Sequence, residues 1–99
     1  MNQITYTVRC RISDPAKAEQ WLAWLKHGHI ADVMKGGALS GQIVKMDEAN
    51  VYEVRYVFDS RASFDRYLKE FAPALREEGI RLFPPGADFE YSRTVGEVL

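Results

Sequence analysis

From Ile4 to Ile12 the side chains alternate without a break. Ile4, Tyr6, Val8, Cys10 and Ile12 fall on one side, and Thr5, Thr7, Arg9 and Arg11 on the other. A sustained period of two marks a strand with one buried and one wetter face, here running from Gln3 to Ile12. Such a strand needs a sheet, and the sheet needs an apolar layer packed against it. The period then changes. After Ser13-Asp14-Pro15, where Asp14 can cap free amides and Pro15 suits the first helical position, Ala18, Trp21, Leu22, Trp24 and Leu25 recur at three- and four-residue spacing. Gly28 weakens this helix, a second helical stretch runs from His29 to Lys35, and Gly36-Gly37 ends it.

Leu39 to Met46 and Val51 to Phe58 read as a β-hairpin joined at Asp47-Glu48-Ala49-Asn50. Ser60 or Asp59 caps a second helix whose stripe is Phe64, Tyr67, Leu68, Phe71, Leu75 and Leu82. Pro73 lies inside that stripe and must kink or divide the helix, which continues to about Phe83. Pro84-Pro85-Gly86 stops it, and Asp88 to Val95 is the last strand, with Phe89, Tyr91, Arg93 and Val95 on one face. The order is strand, helix, strand, strand, helix, strand. Two helices cannot cover both sides of so small a sheet, so both pack on one face. The expected class is α+β: a ferredoxin-like βαββαβ sandwich, a four-stranded antiparallel sheet with two helices on one side, as a single domain over residues 1–99.

The helix-facing side is predicted to carry Tyr6, Val8, Cys10, Tyr52, Tyr56, Phe58, Phe89 and Tyr91. The other carries Thr5, Thr7, Arg9, Arg11, Val51, Glu53, Arg55, Val57 and Thr94. That second face fits a solvated sheet with cross-strand ion pairs, and it equally fits a sheet-to-sheet dimer interface. Ninety-nine residues make a modest core, which association with a second copy would reinforce. Thirteen basic against fourteen acidic side chains leave no positive excess for nucleic acid. No run is apolar enough to cross a bilayer, and no signal peptide is visible. The single Cys10 allows no disulfide within one chain, which fits a cytoplasmic setting.

Two segments resemble a known family. Glu19 to Val33 contains the runs Trp21-Leu22-Ala23-Trp24-Leu25 and His29-Ile30-Ala31-Asp32-Val33. Tyr56 to Ser60, Tyr67-Leu68 and Ala72-Pro73-Ala74-Leu75-Arg76-Glu77-Glu78 supply the rest. Together they look like a bacterial family, domain of unknown function 4286, over nearly the whole chain. The resemblance implies a dimeric α+β barrel, in which two ferredoxin-like sheets face each other with the helices outside, and so favours a homodimer. The wider superfamily includes cofactor-free monooxygenases, lactone isomerases, haem-degrading enzymes, haem peroxidases and ligand-sensing domains, too many activities for the fold to choose among. The haem-degrading branch uses a histidine on the second helix, and Arg61 to Phe83 contains none.

The choice therefore rests on residues. His29, on the side of Leu22, Leu25 and Val33, looks toward Tyr6 and Tyr56 and is a candidate general base. The alternative is a buttress for the helix end. His27 and His29 are two apart, a spacing that puts helical side chains on different faces, so no metal site is read and no cofactor is specified. Asp32 can orient His29 or stand as a solvated charge. The seven tyrosine and tryptophan rings are numerous for this length. Tyr6, Trp24, His29, Tyr56, Tyr67 and Tyr91 are taken as a candidate ligand-binding set, for an apolar pocket with a few polar groups suited to a small apolar or aromatic molecule. Plain core packing explains most of these rings individually. Arg93, if inward, needs an anionic partner; otherwise it snorkels out from a frayed strand. Cys10 reads as inert packing. Arg76, Glu77, Glu78 and Arg81 read as a solvated helix face. Three functions remain: a small-molecule binding module; a cofactor-independent enzyme of monooxygenase or isomerase type using His29; and an interaction scaffold without a pocket.

Overall fold

The computed structural model describes residues 2–99. Its elements are β1 (Ile4–Ile12), α1 (Pro15–Trp24), a π-helical turn (Leu25–His29), α2 (Ile30–Lys35), β2 (Ala38–Lys45), β3 (Val51–Phe58), α3 (Arg61–Glu70), α4 (Ala72–Leu82) and β4 (Phe89–Glu97). The strands form one sheet in the order β2-β3-β1-β4, with every neighbouring pair antiparallel. This is the ferredoxin-like βαββαβ arrangement expected from the pattern.

Local chemistry sets the helix starts. The Asp14 carboxylate accepts from the Ala16 N–H at 2.9 Å, and Pro15, which has no N–H to satisfy, sits at the first helical position. Between the two candidate caps of α3, Ser60 does the work: its hydroxyl accepts from the Ser63 N–H at 3.2 Å. Pro73 divides the second helix. α3 stops at Glu70, Phe71 takes φ −118°, and α4 restarts at Ala72 with the proline in its first turn, where a missing donor costs nothing.

The core is a single cluster with strand residues of one parity: Ile4, Tyr6, Cys10 and Ile12 from β1, Val54, Tyr56 and Phe58 from β3, and Phe89 from β4. Trp21, Leu25, Val33, Phe64, Tyr67, Ala72 and Phe83 close it from the helical layer. Central pairing of β1 with β3 sets Tyr6 opposite Tyr56, with ring centroids 6.0 Å apart.

The structure corrects three expectations. Leu82 is not part of the inner stripe but half exposed; it is the last helical residue, and the chain turns at Phe83, whose ring takes the inner position against Trp24 and Phe89. β2 begins at Ala38, and an irregularity between Ala38 and Ser40 leaves Leu39 facing out. Val51, on the face away from the helices, is nevertheless buried, although it lies outside the core cluster.

The face away from the helices carries a self-neutralising charge lattice. Glu53 accepts from Arg9 at 3.0 Å and from Arg55 at 2.8 Å. Glu48 accepts from Arg9 at 2.9 Å and Arg11 at 3.0 Å, and Arg11 also reaches Glu90 at 3.5 Å. No helix among the described residues is long and apolar enough to cross a membrane.

Candidate functional site

A cavity of about 120 Å3 lies between the sheet and the helices. All six residues singled out as a ligand-binding set line it: Tyr6 on β1, Tyr56 on β3, Tyr91 on β4, Trp24 and His29 at the end of the first helical stretch, and Tyr67 on α3. Exposed lining residues Ile80, Pro85 and Arg93 mark its mouth.

The π-helical turn aims the imidazole. The Ile30 N–H donates to the carbonyl of Leu25, five residues back, and His27 and Gly28 leave helical geometry within the turn. This widening rotates His29 relative to a regular helix. Its ring stacks on Trp24 with centroids 4.0 Å apart and planes 23° from parallel. Trp24 is held in turn by its indole N–H, which donates to Glu78 Oε1 at 3.0 Å. The π-turn, a device that recurs at functional sites, thus supplies one wall of the cavity.

His29 Nδ1 is buried with no hydrogen-bond partner. Burial pushes the imidazole below its ordinary value of 6.5, against the opposing pull of the Glu78 and Asp32 charges. His29 is therefore neutral at physiological pH and able to accept a proton or a hydrogen bond. The phenols around it are kept neutral by the same cause. Burial pushes Tyr67 up to about 12 and raises Tyr56 and Tyr91 as well. Tyr91 satisfies its hydroxyl by donating to the Phe83 carbonyl at 3.0 Å. Cys10 is fully buried, and desolvation pushes its thiol to about 12, so it is no nucleophile at neutral pH.

Two residues that sequence reading placed on a solvated helix face belong to the site. α4 presents Leu75, Arg76, Gly79 and Ile80 to the cavity, a spacing that puts them on one side of a helix. Arg76 Nη2 donates to the Tyr6 hydroxyl at 3.2 Å, and Glu78 holds Trp24. Arg93 donates from Nε to the same Tyr6 hydroxyl at 3.1 Å, although much of its side chain is exposed at the edge of the sheet. The charges of Arg76 and Arg93 both act on Tyr67, opposing the rise that burial causes. No group of three or more potential metal-ligating side chains occurs among the described residues.

Residues 3–95 match the model of the family described as Domain of unknown function (DUF4286). The chain belongs to that family. No curated protein sequence matches it. Among solved structures, a dimeric ferredoxin-like protein from an uncultured marine organism superposes with a TM-score of 0.81 at 10% identity, over 100% of this chain and 97% of the other. A monooxygenase from the gene ActVA-Orf6 of Streptomyces coelicolor, in complex with the ligand nanaomycin D, gives 0.75 at 13% identity over 99% and 88%. SnoaB, a cofactor-independent oxygenase from Streptomyces nogalater, gives 0.68 at 17% identity over 100% and 95%. At these identities the family's fold is what the likeness establishes.

Proposed function

We propose that this protein binds a small apolar or aromatic molecule in the cavity between sheet and helices, as a homodimer. The observation that carries the reading is His29: a neutral imidazole stacked on Trp24 in the cavity wall, with a buried Nδ1 that no protein group satisfies. A buried polar atom without a partner costs about 1–3 kcal/mol, which a ligand group hydrogen-bonded to that nitrogen would offset. The walls are ring faces, and one-ring ligands suit a space of this size. Pairing of the polar sheet faces across a two-fold axis is supported by the dimeric relative of the same fold and by the small core of a chain this length. A cytoplasmic location fits the single, buried cysteine.

A cofactor-independent enzyme is the second reading, favoured by an unprotonated imidazole in the cavity wall and by the two oxygenases among the structural relatives. In it, His29 takes a proton from a bound phenol or from a carbon next to a carbonyl, and the apolar walls keep competing water away. Native mass spectrometry of freshly purified protein tests the first reading. It should show twice the chain mass and an adduct that denaturation releases. A bare monomer would remove both parts. Loss of a solvent-exchangeable C–H proton from an added candidate, abolished by His29→Phe, would move the balance to catalysis.

A further inference from the structure

Arg76 and Arg93 reach the cavity from different layers, one from α4 and one from β4, and meet at a single atom. The Tyr6 hydroxyl accepts from Arg76 Nη2 at 3.2 Å and from Arg93 Nε at 3.1 Å. Among the described residues, neither of these two guanidinium groups is paired with a carboxylate. Arg76 Nε is moreover buried with no partner at all. A phenol is a neutral acceptor and cannot balance two positive charges. Bringing like charges together in a partly dry site costs energy unless an anion joins them. The guanidinium fork is matched in shape to a planar carboxylate, which accepts two parallel N–H bonds.

The remainder of the cavity has no charge to offer an anion. Its lining also includes the rings of Tyr56, Trp24 and His29. About 120 Å3 is close to the roughly 150 Å3 that accommodates benzene in an engineered apolar cavity. One ring therefore fits the cavity, and a charged group attached to it has Arg93, an exposed lining residue, within the same walls.

We infer that the ligand is a small aromatic or compact apolar carboxylate. Its carboxylate lies between Arg76 and Arg93, beside the Tyr6 hydroxyl; its ring lies against Tyr56 and Trp24 and carries a polar group hydrogen-bonded to the His29 Nδ1. The inference rests on the binding reading above and adds the charge and chemical class of the ligand.

The test compares acids with their uncharged amides on the full-length protein. Benzoate, 4-hydroxybenzoate and phenylacetate are titrated beside benzamide, 4-hydroxybenzamide and phenylacetamide, with binding followed by the Trp24 indole and His29 imidazole resonances. A charge-assisted pair corresponds to about tenfold or more in affinity. At least one acid should bind tenfold tighter than its amide, and Arg93→Gln should shrink that preference by weakening the acid more than the amide. Arg76→Gln should do the same, with circular dichroism reporting whether it folds; Arg93, half in solvent on an edge strand, gives the result that does not depend on folding of the Arg76 variant. Amides that bind as tightly as the acids would overturn the carboxylate inference and leave the binding reading standing. Inorganic phosphate shifting the same resonances as strongly as the acids would also overturn it, since the ring would then contribute nothing. If none of the six compounds moves either resonance, both readings fall.

Discussion

Gly41 of β2 lies over Tyr56, and its substitution by alanine should damage the cavity wall by a calculable amount. A Cβ at this position would stand 2.6 Å from Ile30 Cγ2 and 3.2 Å from Tyr56 Cε1. Neither neighbour can easily yield. Ile30 is β-branched and stiff, and Tyr56 is 2% exposed, with its ring against Tyr6. Forcing a methyl group into a packed site costs about 1–3 kcal/mol. Replacing glycine recovers about 0.4–1 kcal/mol by restricting the unfolded chain. Overpacking wins, leaving a net loss of roughly 1–2 kcal/mol. For a domain of this length each kcal/mol moves Tm by about 4–8 °C, so Gly41→Ala should melt on the order of 10 °C below wild type. Thermal unfolding followed by far-UV circular dichroism reads the shift, and urea unfolding gives the free energy with an unchanged m-value. An unchanged or raised Tm would refute the packing of α2 and Tyr56 over β2, and with it the described geometry of the cavity wall.

His29→Phe keeps a ring on Trp24 and removes the unpartnered Nδ1; at pH 7.5 the variant should be as stable as wild type or about 1 kcal/mol more stable, while ligand adducts weaken. The same variant should lose an acid sensitivity. Because the folded imidazole sits below its ordinary 6.5, the unfolded state binds protons first, so this contribution to stability is full above about pH 6.5 and is lost as pH falls through the lower folded value; urea midpoints between pH 7.5 and pH 5 should drop less for His29→Phe than for wild type. Tyr91→Phe removes the hydrogen bond to the Phe83 carbonyl and should cost about 1 kcal/mol in chemical denaturation, with little change in the sheet. Arg9→Glu places a third carboxylate beside Glu48 and Glu53 and should weaken self-association, read as a shift toward single-chain mass in light scattering at micromolar protein.

The sheet was readable because its signal is local. Alternation through Ile4 to Ile12 and Tyr52 to Phe58 fixes which side chains face the helices, and Asp14, Ser60 and Pro73 act on backbone groups within a few residues of themselves. The same parity brought Tyr6, Tyr56 and Tyr91 to one side, and helical phase brought Trp24 over them; His29 joins Trp24 only through the π-turn, which a regular helical reading does not contain. α4 was harder. Two charged residues within Arg76-Glu77-Glu78 turn inward, and charge alone reads as solvent exposure. What holds Arg76 in the site is a phenol seventy positions earlier in the chain, and what holds Glu78 is an indole on α1. Sequence spacing contains neither partnership. The available signal was composition: Gly79, one turn after Leu75, leaves a small-residue notch beside Arg76, and the Trp24 ring packs into it. Leu82 misled for a similar reason, since periodicity cannot tell that the helix ends there and that Phe83 takes its place.

The central claim is that the space around His29 is a binding site and not a packing gap. The protein has two histidines and two tryptophans, so their imidazole and indole signals can be assigned by single substitution at His27 and Trp21. Titration with benzoate, followed on those four signals, tests the claim directly. The account predicts saturable shifts of the His29 imidazole and of the Trp24 indole, which faces Glu78, with the His27 signal unmoved. Shifts that stay linear to high concentration, or that appear equally at His27, for benzoate and for the other acids and amides alike would contradict the account.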